Sequence, residues 1–210
     1  MNITATELSK RFNREWIFHK LSYRFEFGKT YALVGPNGSG KSTLLHILTG
    51  QVPPSGGTLN YETGIGQVDI HEVYKSIVIA APYMDLIDEF TLDEMVEFHF
   101  CFKQIRNGST IDEVVEKMEL THARHKLVSN FSSGMRQRLK LGLAFYSQSE
   151  VLFLDEPTSN LDQKSIDWYW KNLTPLLGKS LIIIASNQEM EYPSSAEKVD
   201  ILRFKKGYKA

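Results

Sequence analysis

The stretch Thr30-Tyr-Ala-Leu-Val-Gly-Pro-Asn-Gly-Ser-Gly-Lys-Ser-Thr43 decides the fold class of this chain. It begins as a short apolar strand pattern, continues as a glycine-rich loop and leads into an apolar helix face. Glycines let successive backbone N–H groups converge on phosphate oxygens, and the helix N-terminus adds the positive end of its dipole. Lys41 can then reach the β- and γ-phosphates of a nucleotide, and the Ser42 hydroxyl is placed to ligate magnesium. A chance glycine turn is the competing interpretation, and the strand-loop-helix context argues against it.

Composition limits the possible partners. Lysine and arginine number 24 against 25 acids in 210 residues, so no bulk positive field draws the chain to nucleic acid or to an anionic membrane. We therefore expect no nucleic-acid partner. Apolar runs are shorter than the roughly 20 residues that cross a bilayer, and the N-terminus lacks the pattern of a secretory signal, so we expect a cytoplasmic protein. Cys101 is the only cysteine, and we expect it to be a buried thiol in a helix.

The order of apolar segments predicts an α/β fold. Longer helical patterns separate short apolar strands, which favours a sheet with a parallel core and a ligand site at the C-terminal ends of its strands. These strands are predicted at 30–34, 77–80, 151–154 and 181–185.

The middle of the chain has a different pattern. A helix start at Thr91 and a second helix over 110–119, separated by Gly108-Ser109, predict a helical lobe inserted into the α/β core.

Two adjacent carboxylates end one of these strands, in Val151-Leu-Phe-Leu-Asp-Glu-Pro-Thr158. A buried charge at this place needs a partner. Asp155 can hold magnesium, and Glu156 is placed to orient or deprotonate an attacking water, because phosphoryl transfer depends on positioning and on charge neutralisation. A solvated acidic turn is the alternative interpretation, and the presence of the upstream phosphate loop argues against it.

A third motif, Phe131-Ser-Ser-Gly-Met-Arg-Gln-Arg138, precedes the Asp-Glu strand. With it the sequence resembles the ABC ATPase family over nearly its whole length, since the motif is similar to the family signature usually written LSGGQ. The resemblance implies a P-loop fold with a mainly parallel core sheet, N-terminal antiparallel β elements and an inserted helical subdomain. Within a single domain, 1–210, the α/β core is expected to comprise 1–81 and 146–210, and the helical subdomain 82–145.

The resemblance also implies a head-to-tail dimer, a homodimer or a heterodimer with another ABC ATPase, that holds two ATP molecules and Mg²⁺ between its subunits. Ser159-Asn-Leu-Asp162 resembles the D-loop of that interface. Phe12 has the spacing to Lys41 at which the family usually has an aromatic that stacks on adenine, with Trp16 as its rival and a core role as the alternative. The residues expected to contact ATP are Phe12, Gly35, Pro36, Asn37, Gly38, Ser39, Gly40, Lys41, Ser42, Thr43, Ser132, Ser133, Gly134, Met135 and Asp162.

The chain departs from the family pattern at places that bear on catalysis. The Q-loop glutamine is missing, because Ala81-Pro-Tyr83 occupies its position. Asn187 stands where the family has its switch histidine; asparagine can donate a hydrogen bond to a γ-phosphate but cannot become an imidazolium. Ser133 replaces a signature glycine. We therefore expect Glu156, Lys41 and Asn187 to carry catalysis, with binding preserved and hydrolysis slowed.

The favoured function is that of a transporter's energy subunit, peripheral on the inner face of the membrane through an integral membrane permease. The amphipathic stretch 83–90 is the expected docking edge, although a solvated loop is nearly as good an interpretation. Phe98, Phe100 and Phe102 belong either to the core of the lobe or to a partner-facing groove. A soluble ABC protein and an ATP-gated dimerisation module with weak hydrolysis are the alternatives.

Overall fold

Two β-sheets of different kinds organise residues 1–205, the part of the chain that the computed structural model describes. The strands are β1 (Asn2–Phe12), β2 (Glu15–Phe25), β3 (Thr30–Val34), β4 (Gly56–Thr63), β5 (Gly66–Val68), β6 (Ile77–Ala80), β7 (Val151–Asp155), β8 (Leu181–Ala185) and β9 (Glu197–Asp200). The antiparallel sheet has the order β2-β1-β4-β5, and the other sheet has the order β6-β7-β8-β3-β9. The predicted α/β class with N-terminal antiparallel elements is confirmed.

The five-stranded sheet is parallel and lies in the core. Its register pairs Leu152 with Ile182 and Ala32 with Ile184, and every residue of β7 and β8 is buried. Strands covered on both faces read as continuous apolar runs rather than as an alternation. The strands predicted at 30–34, 77–80, 151–154 and 181–185 are all confirmed. They were recognisable in the sequence because burial on both faces requires such continuous runs. Their C-terminal ends lie together at one edge, where the phosphate loop and the Asp-Glu pair follow.

Five α-helices complete the described part of the chain. They are α1 (Lys41–Leu48), α2 (Leu92–Phe102), α3 (Ile111–Lys117), α4 (Ser133–Tyr146) and α5 (Gln163–Leu173). Both α2 and α3 begin with a capping box, in which a threonine and the glutamate three residues later satisfy each other's backbone N–H groups. Among residues 1–205, no helix has the length and apolarity that a membrane span requires.

The predicted helical lobe has an apolar cluster of its own. Leu92, Met95 and Val96 of α2 are buried in it with residues of α3 and α4. Phe100 packs against this cluster, whereas Phe98 and Phe102 are exposed, Phe102 to 73%. The expectation of a buried Cys101 is wrong, since Cys101 is exposed; α2 is apolar on more than one side, so its apolar pattern does not identify the buried face.

Candidate active site

The phosphate loop connects β3 to α1 in a conformation that only glycine adopts easily. Gly35, Gly38 and Gly40 all have positive φ, of 144°, 74° and 105°. At Gly40 there is also no room, because an added Cβ would lie 2.3 Å from Cγ2 of Ile17. The loop therefore packs closely on β2 and ends at Lys41, the first residue of α1. The strand-loop-helix geometry predicted from the sequence is present.

The Lys41 side chain is buried and folds back over the loop. Its Nζ donates hydrogen bonds to the carbonyl oxygens of Gly35 at 2.8 Å and Pro36 at 3.2 Å. Burial lowers the pKa of Lys41, while the charges of Glu156 and Asp155 raise it. Within residues 1–205 these are the hydrogen bonds of this buried cation. It is suited to a ligand that carries negative charge, because such a ligand compensates the lost hydration.

Asp155 ends β7 and is buried with an unused hydrogen-bonding atom. Its Oδ1 has no hydrogen-bond partner in residues 1–205. Burial raises the pKa of Asp155, whereas a side-chain hydrogen bond with Ser42 lowers it. A carboxylate and a hydroxyl in contact provide the hard oxygen ligands that magnesium prefers. The orphaned oxygen of Asp155 therefore fits the predicted metal site.

Glu156 follows Asp155 in a left-handed conformation that is uncommon for a residue with a side chain, with φ of 42°. Its backbone N–H donates to the carbonyl of Ala185 in β8 at 2.9 Å. Glu156 and Lys41 border one cavity of about 200 Å³. The other residues that line it are Ile17, Asn37, Gly38, Gly40, Ser42 and Thr43. The Asp-Glu pair and the phosphate loop, 115 positions apart in sequence (156 − 41), thus meet at one site.

Asn187 lies beside the same loop. Its side-chain Nδ2 donates a hydrogen bond to Oδ1 of Asn37 at 2.5 Å. The structure thereby brings together Lys41, Asp155, Glu156 and Asn187, which the sequence singled out for catalysis and metal binding. Their roles remain predictions.

The signature segment lies at a second cavity. Ser132 caps α4, since its Oγ accepts a hydrogen bond from the Met135 N–H at 3.2 Å, as the cap interpretation predicts. Ser132, Ser133, Gly134, Met135 and Asp162 line a cavity of about 530 Å³. This cavity shares no lining residue with the Lys41 cavity, so the chain does not bring its own signature segment to its own phosphate loop.

The two aromatic candidates for adenine stacking lie on the β1–β2 hairpin. Phe12 is 51% exposed, and Lys10 Nζ lies 4.9 Å from its ring centroid. Trp16 contacts His19 and lies under Arg11. Neither ring lines the Lys41 cavity; Ile17 does. Sequence reasoning missed Ile17, because an apolar strand residue gives no signal of a site.

The segment at the Q-loop position has its own contacts. Tyr83 packs on His46 of α1, with ring centroids 4.4 Å apart, and Lys140 of α4 donates to the carbonyl of Pro82 at 2.6 Å. Burial, together with the charge of Asp155, raises the pKa of Tyr83, so its phenol stays neutral and able to donate. Tyr83 therefore links α1 to the turn that Lys140 holds.

The basic residues of α4 are mostly committed to internal contacts. Arg136 pairs with Asp88 at 2.7 Å, and Arg138 pairs with Glu119 at 2.8 Å. Arg138 also donates to the Ser165 hydroxyl. The Arg136–Asp88 pair therefore joins the segment 83–90 to α4.

The fold and the site together define a P-loop ATPase. Residues 18–159 match the protein family described as ABC transporter. This match spans more than half of the chain, so the protein belongs to the ABC transporter family. Membership implies ATP binding and ATPase activity.

Individual relatives agree with this assignment. The chain is 30% identical over 164 residues to the uncharacterized ABC transporter ATP-binding protein YybJ of Bacillus subtilis, covering 78% of this chain and 75% of YybJ. It is 28% identical over 192 residues to the daunorubicin resistance ATP-binding protein DrrA3 of Streptomyces coeruleorubidus, covering 90% of this chain and 61% of DrrA3. It spans only 8% of the length of rat ATP-binding cassette sub-family A member 2, to which it is 25% identical over 90% of its own length.

A solved structure shares the fold. The structure of an ATP binding subunit of an ABC transporter superimposes with a TM-score of 0.81 at 18% identity, covering 95% of this chain and 85% of the other. At this identity the likeness concerns the fold alone.

Proposed function

We propose that this protein is the energy subunit of a membrane transporter, in which a head-to-tail dimer binds and hydrolyses two ATP molecules and drives a separate membrane subunit. One observation carries the proposal: Lys41 and Glu156 border the same cavity at the end of the parallel sheet. A buried cation and a carboxylate there suit a triphosphate and the water that attacks it.

The phosphate groups lie along the loop 35–43, whose backbone N–H groups and helix dipole stabilise their charge. Lys41 exchanges its bonds to the carbonyls of Gly35 and Pro36 for bonds to the β- and γ-phosphates. Ser42 and Asp155 would hold Mg²⁺. When bound, Mg²⁺ neutralises charge that develops on the phosphate oxygens.

Glu156 orients a water molecule and accepts its proton. The water oxygen forms a bond to the γ-phosphorus while the bond to the bridging oxygen breaks, and ADP leaves with that electron pair. The test is Glu156→Gln, which keeps the size of the side chain but removes the base. ATP affinity should stay within about twofold, and turnover should fall by about 10²–10⁴. A variant with wild-type turnover would contradict the role of Glu156.

The separation of the two cavities supports the proposed dimer. The signature segment offers a helix N-terminus at Ser132 and Gly134, which favours an anion, yet it borders a cavity of its own. A second copy in head-to-tail orientation would place that helix N-terminus on the γ-phosphate held by the first.

Mixing two inactive variants tests the composite site. Lys41→Ala disables the phosphate loop, and Gly134→Asp puts a negative charge at the signature. In a mixed dimer one site has both intact halves, so the mixture should regain turnover that neither variant shows alone. No gain after mixing would argue against shared sites.

The proposed membrane partner docks at the segment 83–90. In this segment Ile87 and Phe90 are partly exposed beside Asp85 and Asp88, and the exposed Phe98 makes an edge contact with Phe90. Apolar anchors beside charged groups suit a protein interface. Purification from native membranes, with identification of the co-purifying subunit, tests this part, and sedimentation with ribosomes instead would favour the soluble alternative.

A second candidate function is an ATP-gated dimerisation module with weak hydrolysis. The observation that favours it is the contact of Asn187, rather than a histidine, with the phosphate loop. Tight ATP binding with turnover at the level of Glu156→Gln would support this alternative.

A further inference from the structure

A buried carboxylate contacts the segment that follows Glu156. Glu191 has 0% exposure. Its Oε1 accepts hydrogen bonds from the Thr158 N–H at 2.9 Å and from the Thr158 hydroxyl at 2.5 Å. The other oxygen, Oε2, has no hydrogen-bond partner within the described residues. Burial of a carboxyl group with an unpartnered oxygen is costly, so packing alone does not explain a glutamate at this position.

The backbone of Glu191 is fixed as well. The hydroxyl of Tyr169 donates to the Glu191 carbonyl at 2.6 Å. Burial, together with the nearby Glu191, raises the pKa of Tyr169 well above its usual value, so the phenol keeps the proton that it donates. The backbone of Glu191, four residues after Asn187, is thus held in place while its side chain bonds to Thr158.

A second buried side chain bonds to the same segment. Gln137 of α4 donates from Nε2 to the carbonyl oxygen of Pro157 at 2.8 Å, and it is buried. Pro157 and Thr158 are the two residues directly after Glu156. They are therefore bonded both to the helix that begins at the signature and to the segment that begins at Asn187.

Glu156 depends on such support, because its own conformation is disfavoured. A residue with a Cβ at φ of 42° is strained and persists only where its surroundings hold it. The N–H of Glu156 is bonded to Ala185 on the preceding side, and Gln137 and Glu191 bond the two residues on the following side. Together these contacts hold the backbone on both sides of Glu156, which borders the cavity with Lys41.

We propose that Glu191 and Gln137 are positioning residues for the hydrolytic glutamate. They hold Pro157 and Thr158 so that Glu156 stays aimed at the attacking water, and this inference rests on the proposed role of Glu156. Neither side chain touches the phosphate loop, so ATP binding does not depend on them.

The test compares Glu191→Ala, Glu191→Gln and Thr158→Val with wild type in turnover and ATP binding. Glu191→Ala should lower kcat by about 10–10²-fold, the scale of a small misplacement of a catalytic group, with KM for ATP and ATP affinity unchanged. Glu191→Gln keeps an acceptor for Thr158 and should restore most of the rate. Thr158→Val, which keeps the shape but removes the hydroxyl donor, should lower kcat by a smaller factor. Glu189→Ala, an exposed glutamate on the same segment, is the matched control and should keep wild-type kcat.

The Glu156→Gln background separates positioning from a general structural effect. If Glu191 acts through Glu156, adding Glu191→Ala or Thr158→Val to Glu156→Gln should cause no further loss of the residual rate. A further loss by the factor seen in the wild-type background would overturn the inference. Wild-type kcat in both Glu191→Ala and Thr158→Val would overturn it as well. Should Glu191→Ala fail to fold, Thr158→Val alone decides the outcome. Undiminished turnover of Glu156→Gln would instead refute the proposed function itself.

Discussion

The side-chain amide of Asn187 donates to Oδ1 of Asn37, and this hydrogen bond joins the segment after β8 to the phosphate loop. The family resemblance places a histidine at the position of Asn187. Because asparagine cannot carry a positive charge at any accessible pH, we expect it to stabilise the charge that develops during hydrolysis less well than an imidazolium would.

We expect Asn187→His to raise the turnover of ATP by about tenfold, part of the roughly 10²–10⁴ that a positioned acid or base supplies. Saturating ATP in a steady-state assay isolates kcat from binding. Asn187→Ala is the control and should not exceed wild type. An unchanged rate in Asn187→His would remove the idea that Asn187 limits the chemistry.

Gly40→Ala should destabilise the fold more than Gly38→Ala does. Both glycines have positive φ, so alanine costs roughly 1–2 kcal/mol at either. At Gly40 the new Cβ would meet Cγ2 of Ile17, at 2.3 Å, whereas at Gly38 no atom of the described residues other than its chain neighbours lies within 4 Å of the added Cβ. Overpacking adds about 1–3 kcal/mol, which urea unfolding measures.

The double variant Gly40→Ala/Ile17→Ala checks that reason. Ile17→Ala removes the crowded methyl group. In the Ile17→Ala background, adding Gly40→Ala should therefore no longer cost the overpacking free energy. Equal destabilisation by Gly40→Ala and Gly38→Ala would contradict the steric explanation.

Phe12→Ala should weaken ATP binding if its exposed ring stacks on the adenine. Stacking of a base on an aromatic ring contributes about 1–3 kcal/mol, and GTP binding should fall by a similar factor, because a ring stacks on either purine. Titration of both nucleotides by calorimetry measures the effect. Trp16→Ala tests the alternative residue. A larger loss of ATP affinity in Trp16→Ala than in Phe12→Ala would assign the stacking to Trp16.

Much of this architecture follows from local sequence. The four core strands are predictable because burial on both faces demands continuous apolar runs, as in Val151-Leu-Phe-Leu154. The phosphate loop is predictable because its glycines have to adopt positive φ between a strand and a helix. The cap at Ser132 follows from its position before α4.

Other features depend on contacts between distant residues and escaped prediction. Ile17 borders the Lys41 cavity only because the hairpin folds onto Gly40. Gln137 and Glu191 reach Pro157 and Thr158 from 20 and 33 residues away, and no local pattern indicates such a bond. Cys101 was expected to be buried because a free cysteine usually is, but α2 is apolar on more than one side, and tertiary packing alone selects the side that faces the core.

Acid should destabilise the protein through His99, which connects α2 to the end of α4. Ser147 gives its only hydroxyl proton to the Leu143 carbonyl at 2.6 Å, so the His99 Nε2–H donates to Ser147 Oγ at 2.8 Å. Burial, with a smaller contribution from Lys103, lowers the pKa of His99 from 6.5 to about 4. The neutral ring is therefore favoured in the fold, and its stabilisation is complete above the unfolded pKa and lost as the pH falls towards 4.

At about 1.4 kcal/mol per pKa unit, wild type should lose about 3 kcal/mol more than His99→Gln between about pH 7 and about pH 4. Urea unfolding across this range measures the difference. His122→Gln, at an exposed histidine, should retain the wild-type pH dependence. The same pH dependence in His99→Gln as in wild type would contradict the assignment.

Light scattering of Glu156→Gln with ATP and magnesium tests whether two copies of the protein share each ATP site. If ATP is held between the phosphate loop of one copy and the signature of another, this variant should bind ATP, fail to hydrolyse it and form a stable dimer of about twice the monomer mass of 24.0 kDa. Adding Gly134→Asp should abolish the dimer, because an acid at the start of α4 suits the helix dipole but repels the phosphate. A Glu156→Gln protein that binds ATP and remains monomeric would contradict the shared site.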